Sequence, residues 1–140
     1  MQPQAGKTPR FDLPTIEEES RPFWDAARAG RLLIMACGQC GKLFHYGRVA
    51  CPYCWSDRVG WREASGRAVL YTYSIVRVND LPPFKERLPY VVAAVDLVEG
   101  VRMMSRLVDV DERGLRMGMP LRADFVPLTD DISLPVFRPD

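Results

Sequence analysis

Histidine occurs once in this 140-residue chain, as His45, and cysteine only four times, so the usual equipment of hydrolases and thiol enzymes is nearly missing. Any Ser-His-Asp arrangement would have to be built around His45. No HExxH, P-loop, GxGxxG or nucleophile-elbow pattern is present. No uninterrupted apolar run approaches the roughly 20 residues that a membrane-spanning helix needs. The first stretch, Met1 to Pro14, is polar and proline-containing and does not resemble a signal peptide, so a cytoplasmic location is expected. Surplus charge is missing too: 19 Lys and Arg against 18 Asp and Glu leave a formal +1, and bulk electrostatics select no partner. The asymmetry is local. Residues 21–67 carry eight basic against three acidic side chains, and residues 109–140 carry four against seven.

What is present is concentrated in the cysteines. They fall as Cys37-Gly-Gln-Cys40 and Cys51-Pro-Tyr-Cys54, a C-x2-C-x10-C-x2-C pattern that uses every thiol in the chain. In a reducing compartment, paired CxxC motifs point to metal rather than to disulfides. Each knuckle turns two thiolates onto one small cation, and the second completes a tetrahedral sulfur shell. Zn²⁺ is the expected ion, because it has no redox chemistry and prefers tetrahedral ligation. Iron is the alternative, since Cys-Pro-Tyr-Cys also resembles a rubredoxin knuckle. A closed shell has no position for water or substrate, so its role is structural, contributing on the order of 10 kcal/mol to folding a small module. No thiol remains as a nucleophile. His45 is expected to be a packing or surface residue, because four cysteines already suffice. Gly41 after the first knuckle can take the left-handed conformation such turns favour. Trp55 after the second cannot do so cheaply: either that knuckle turns differently or Trp55 accepts about 1–2 kcal/mol of strain. Packing against the barrel is the expected role of its ring, with a ligand contact as the alternative.

The chain divides into three parts: an N-terminal arm and helices over 1–30, a metal ribbon over 31–64 and a β domain over 65–140. Residues 1–14, with Pro3, Pro9 and Pro14, read as an arm that is disordered alone or ordered only against a partner. Thr15-Ile-Glu-Glu18 has the form of a capping box, Ser20 is a second candidate N-cap before Pro22, and Gly30 is a natural stop, so one or two short helices fit residues 15–29. Phe23 and Trp24 are adjacent and cannot share a helix face, so at least one packs on something outside the helix. Strands are expected at 32–36, 43–46 and 59–63 around the knuckles. Beyond Ser65-Gly66-Arg67, β-branched and aromatic residues dominate. Strands are expected at 68–78, 90–98, 101–108, 121–128 and 134–137, with a tight turn at Glu99-Gly100 and a proline-laden loop over 79–89. The 68–78 strand is long enough to need a bend. Five strands in this rhythm match a five-stranded Greek-key barrel of the OB type, making the chain mainly β.

The pattern resembles the DUF35 family, a rubredoxin-like zinc ribbon followed by an OB-fold. Phe23-Trp24-Asp25 with Gly30 and Leu32 is similar to the family's leading helix, and Cys37 to Gly41 with Arg48 and Cys51 to Cys54 to its ribbon. Ser65-Gly66-Arg67, Pro89 to Ala93, Glu99-Gly100, Gly118-Met119-Pro120 and Leu134 to Phe137 are similar to its barrel landmarks. One departure is visible: the family commonly has prolines before the arginine matching Arg48, where this chain has His45-Tyr46-Gly47. The resemblance implies a non-catalytic subunit of a thiolase-like enzyme (a thiolase, an acyltransferase or a lipid-transfer-protein-type aldolase) that helps bind or channel acyl-CoA, in an even-numbered heteromer. Such a ligand needs cations for its phosphates and apolar or aromatic faces for its adenine. Arg48, Lys85 and Arg87 are the candidate cations, and Tyr46, Phe84 and Tyr90 the candidate faces.

The alternative from a different class is nucleic-acid binding, a common use of OB barrels. Single-strand binding needs a positive groove interleaved with aromatics. Residues 68–140 instead carry nine basic against eleven acidic side chains, so nucleic acid is disfavoured as a partner. Tyr71 and Tyr73 share a strand face that is either a stacking platform or core. Rubredoxin-like electron transfer is a third reading, tied to iron in the cage.

Overall fold

The computed structural model describes residues 10–140. One helix and eight strands follow in order: α1 (Arg21–Arg28), β1 (Leu33–Cys37), β2 (Leu43–Phe44), β3 (Val59–Glu63), β4 (Arg67–Val76), β5 (Tyr90–Leu97), β6 (Arg102–Leu107), β7 (Pro120–Pro127) and β8 (Ser133–Pro139). The first three strands form an antiparallel sheet in the order β2-β1-β3, and the last five close into a barrel in the order β4-β5-β6-β8-β7. No helix among the described residues is long and apolar enough to cross a membrane.

Of the one or two helices expected over 15–29, one forms, Arg21–Arg28. Residues 13–17 have no regular secondary structure and 18–20 form a turn, so Thr15 to Glu18 is not a capping box. Ser20 instead closes a turn: its backbone N–H donates to the Glu17 carbonyl at 3.1 Å, and the Glu17 N–H donates to Ser20 Oγ at 3.1 Å. The helix starts directly after it, with Pro22 in the first turn, where a missing N–H costs nothing. Gly30 ends it at φ +78, a conformation a side chain would resist.

The arm expected over 1–14 lies outside the described residues for its first nine positions. From residue 10 it is seated on the barrel. Arg10 donates to the Leu128 carbonyl at 2.8 Å, and the Phe11 N–H donates to the Pro82 carbonyl at 3.1 Å. Asp12 accepts from Arg10 at 2.8 Å and from Arg87 at 3.0 Å. The bonds from Arg10, and then from Arg87, hold the Asp12 carboxyl below the usual carboxylate range.

The barrel is built as its sequence alternation requires. β5 turns Val91, Ala93, Val95 and Leu97 inward, and β6 turns Met103 and Leu107 to meet them. β4 pairs with β5 along its length and with β7 at its start, and its register shifts between Leu70 and Thr72. That bulge supplies the bend that a ten-residue strand needs to serve two neighbours. Closure is made by one parallel contact: Leu107 lies opposite Phe137, and the Val108 N–H donates to the Phe137 carbonyl at 2.9 Å.

Strand β1 joins the two modules. Leu32 and Ile34 belong to the core that fills the barrel, together with Ala64, whereas Met35 and Cys37 join Phe44 and Cys51 in a separate ribbon cluster. Phe23 of α1 packs against the barrel core and meets Trp61 of β3 at 6.5 Å between ring centroids. Gly47 runs beneath the same indole, and a Cβ there would lie 2.6 Å from its rim. Gly47→Ala should therefore destabilise the protein by about 1–3 kcal/mol through overpacking. Urea unfolding checks this, and an unchanged midpoint would show that Trp61 moves aside freely.

Candidate functional sites: a sulfur cage and two clefts along β6

The two knuckles are near duplicates in backbone terms. In the first, the Gln39 and Cys40 N–H groups each lie 3.4 Å from Cys37 Sγ, and the Gly41 N–H donates to the Cys37 carbonyl at 3.0 Å. In the second, the Tyr53 N–H lies 3.4 Å from Cys51 Sγ, and the Trp55 N–H donates to the Cys51 carbonyl at 3.0 Å. Such donors favour thiolate over thiol. β1 delivers Cys37 at its last residue, and the ribbon cluster fixes Cys51.

Together they bring all four sulfurs within 4.8 Å of one another. Cys37 Sγ and Cys54 Sγ are 3.6 Å apart, and Cys40 Sγ and Cys51 Sγ 3.7 Å. A tetrahedron with Zn–S bonds of about 2.3 Å has edges of about 3.8 Å. The spacing is thus that of a ligand shell and far longer than a disulfide bond. The electrostatics point the same way: the Cys40 N–H, with that of Gln39, brings the Cys37 thiol down to about 6. At Cys54 the Ser56 N–H acts in the same sense, but the neighbouring sulfurs outweigh it and push the thiol up to about 11. Four sulfurs this close cannot all ionise without a cation among them. The four clustered cysteines form a metal site whose donor set suits zinc.

Trp55 resolves the open question about the second knuckle. It adopts φ +65, the left-handed conformation that Gly41 holds at φ +75 in the first. The expectation that its ring packs against the barrel is wrong: Trp55 is 82% exposed. The knuckle's hydrogen bonds dictate the backbone there, whatever side chain it carries.

Between ribbon and barrel lies an apolar cavity of about 240 Å³, walled by Phe23 and Trp24 of α1, His45 to Gly47, Trp61, Met103 and Met104 of β6, and Leu134 and Pro135. The adjacent aromatics of α1 thus do different work: Phe23 reaches the barrel core, while both rings contribute to the cavity wall. His45 meets the tilted rings of Phe23 and Tyr46, with centroids 5.6 Å and 4.0 Å away, and its buried Nδ1 has no hydrogen-bond partner. Burial pushes its pKa down to about 4.

The acyl-CoA candidates divide between two places. Tyr46 lines the apolar cavity, while Arg48, two residues on, is exposed and outside its wall. Phe84, Lys85 and Arg87 lie in a 3-10 turn, Phe84–Arg87, on the barrel, with Phe84 and Tyr90 rings 6.1 Å apart. Arg87 and Tyr90 line an open cleft of about 510 Å³ with Arg106, Asp109 and Glu112, whereas Phe84 and Lys85 are outside its wall. Arg106 is the residue that sequence reading missed. Its Nε is buried without a partner, no carboxylate pairs with it among the described residues, and burial, then Arg87, depresses its pKa. The acids of the cleft are engaged elsewhere, Glu112 by Arg77 at 3.0 Å and Asp109 by Arg138. The alternation of β6 could have signalled Arg106: it is an outward position two residues after Met104, about 7 Å along the strand. On the neighbouring face Tyr71 is no open stacking platform. Arg102 covers its ring at 3.4 Å and is held there by Asp96 at 2.7 Å.

A four-cysteine ribbon joined to a five-stranded barrel defines the class of protein. Two family models match in series: "ChsH2, rubredoxin-like zinc ribbon domain" over residues 24–60 and "ChsH2, C-terminal OB-fold domain" over residues 61–126. The chain belongs to the DUF35/ChsH2 family of zinc ribbon plus OB-fold proteins. It is 35% identical to the probable enoyl-CoA hydratase alpha subunit of Thermomonospora curvata over 90% of its own length, but spans only 39% of that protein. It is 32% identical to a DUF35 domain-containing scaffold protein of Methanocaldococcus jannaschii, over 71% of each chain. Among solved structures, it matches a chain of the Ltp2-ChsH2(DUF35) aldolase at 35% identity and a TM-score of 0.81, covering 91% of this chain and 98% of that one.

Two expectations test the site. Cys40→Ser removes one ligand from a closed shell, so zinc content should fall well below one ion per chain and the ribbon amides should exchange freely. Metal analysis and hydrogen exchange read this, and full zinc with normal protection would contradict it. His45 has a folded pKa near 4 against an ordinary 6.5, so its contribution is complete above about pH 6.5 and is lost as pH falls toward 4. After allowance for its partial exposure, about 2–3 kcal/mol should disappear over that window. His45→Phe should flatten the slope in urea unfolding at fixed free zinc.

Proposed function

We propose that this chain is a non-catalytic zinc subunit that docks on a thiolase-like enzyme and helps bind or channel its acyl-CoA, in an even-numbered heteromer. The observation that carries the reading is the end-to-end correspondence with a chain of the Ltp2-ChsH2(DUF35) aldolase, 98% of whose length is matched. The side chains support it. Every thiol belongs to the cage, and the one imidazole sits in an apolar wall without a partner at Nδ1. Neither is placed as a nucleophile or a general base.

The cleft chemistry supports the ligand class. Met104 and Arg106 are successive outward residues of β6, so the apolar cavity and the arginine cleft follow one another along the strand. A CoA thioester has the same polarity, apolar at the acyl end and anionic at the phosphates. Arg87 and Arg106 would take the phosphates by charge-assisted hydrogen bonds, Tyr90 would offer a face, and Tyr46 with Met104 would meet the apolar end.

A second reading is favoured by the likeness to the hydratase alpha subunit, which names an enoyl-CoA enzyme instead of an aldolase. In that case the partner supplies the hydratase chemistry, and this chain keeps the same ligand class. The nucleic-acid reading has less support, because the ring of Tyr71 is already covered.

Affinity-tagged chain expressed in its natural host should co-purify with a thiolase-like or hydratase subunit in fixed stoichiometry. In that complex Arg106→Gln should weaken acyl-CoA binding about tenfold, the loss of one charged hydrogen bond, with zinc content unchanged. Turnover of acyl-CoA by the isolated chain, or purification without such a partner, would refute the proposal.

A further inference from the structure

We infer that Trp55, with Tyr53, is the anchor by which the ribbon seats in an apolar notch of the partner subunit, a notch rimmed by carboxylates. The inference rests on the docking reading above and adds to it the surface and its chemistry.

The duplicated knuckles make the argument. Both require a left-handed residue after their second cysteine, and the first meets the requirement with Gly41. The second meets it with a tryptophan at φ +65, a conformation that bulky L side chains resist. Folding gains nothing visible in return. The ring is 82% exposed and stacks on no aromatic or cation among the described residues. A glycine would hold the same turn with less strain. The tryptophan is therefore placed for something outside this chain.

Its neighbours suit the same purpose. Tyr53, two residues earlier in the same knuckle, is also exposed, and Lys42 Nζ lies 4.6 Å from its ring centroid. Tryptophan and tyrosine are the side chains that most often carry interface energy when a pocket closes over them. The surrounding charge points to the partner's chemistry. Lys42, Arg48 and Arg58 are the cations of residues 38–58, and none is in an ion pair among the described residues. The one acid of that stretch is Asp57. Of the negative sulfur cage only Cys40 is fully exposed, against three exposed cations, Lys42, Arg48 and Arg58. An apolar notch flanked by Asp or Glu complements such a tip.

The test uses Trp55→Gly and Trp55→Asn, both tolerant of the left-handed conformation. Each is measured against the partner subunit recovered by co-purification and supplied as pure protein. The thermal midpoint should stay level or rise, and zinc should remain at one ion per chain. The calorimetric Kd should weaken at least about 30-fold, and the wild-type Kd should rise with salt. Partner binding equal to wild type in both variants overturns this inference alone. So does a lower midpoint with lost zinc in both, which would make the ring structural. Trp55-dependent self-association or single-strand binding, with partner affinity unaffected, also overturns it. If the wild-type chain binds no such subunit at all, the docking reading fails first and this inference with it.

Discussion

Four sulfurs held within 4.8 Å of one another are the constraint on which the ribbon depends. Their mutual crowding leaves them partly protonated until a dication sits between them, so the cage and its ion form as one unit. Little else holds this module. Its own apolar cluster consists of Met35, Cys37, Phe44 and Cys51, two of which are ligands, with partly buried neighbours at the edge. The cage also acts at a distance from itself. Cys37 closes β1, the strand that sends Ile34, with Leu32 just before it, into the barrel core, and β1 pairs along its whole length with β3, which carries Trp61. The wall of the apolar cavity is thus anchored at one end by metal ligation and at the other by barrel packing.

Much of this was legible in the sequence, because the signals were of the strong kind. The cysteine spacing specified the cage, and alternation with turn residues specified five barrel strands to within a residue or two at most ends. Gly30 stops the helix as its position promised, and Pro120 opens a strand. The failures are equally physical. Thr15 to Glu18 has capping-box chemistry, but Pro14 precedes it and the real helix begins at Arg21 with Pro22 in its first turn, so Ser20 took the role of helix boundary. Trp55 looked like a packing residue because tryptophans usually are, and no sequence rule announces one held outward on a strained turn. Arg106 was hidden for a different reason. Its meaning comes from Tyr90 on the adjacent strand and Arg87 just before it, and only the β5–β6 register brings them to one cleft.

The candidate ligand residues illustrate the limit of reading a site from local sequence. Tyr46 and Arg48 are two residues apart in the chain, as are Lys85 and Arg87, but each pair divides. One member lines one of the two clefts and the other lines neither. What joins the two clefts is strand β6, whose outward side chains pass from methionine to arginine in two residues. A short strand can set down such a polarity change sharply, because every second side chain emerges on the same face.

The same geometry argues for an incomplete site. Ligand sites that bury most of a drug-sized molecule usually enclose about 300–1,000 Å³. The apolar cavity here is smaller, at about 240 Å³, and has the exposed Tyr46 and Met104 at its mouth. The arginine cleft is larger, at about 510 Å³, yet its floor holds a guanidinium whose Nε has no acceptor. Neither cleft alone could enclose a molecule as long as a CoA thioester, and an unpaired arginine donor in a half-formed cleft is costly unless something arrives to accept from it. A second polypeptide closing over β6 would supply the missing walls, raise the worth of the arginine charges by excluding water, and cover the apolar residues at the mouth. On this view the barrel contributes one side of a shared site, and the metal cage ensures that this side is presented in a single shape.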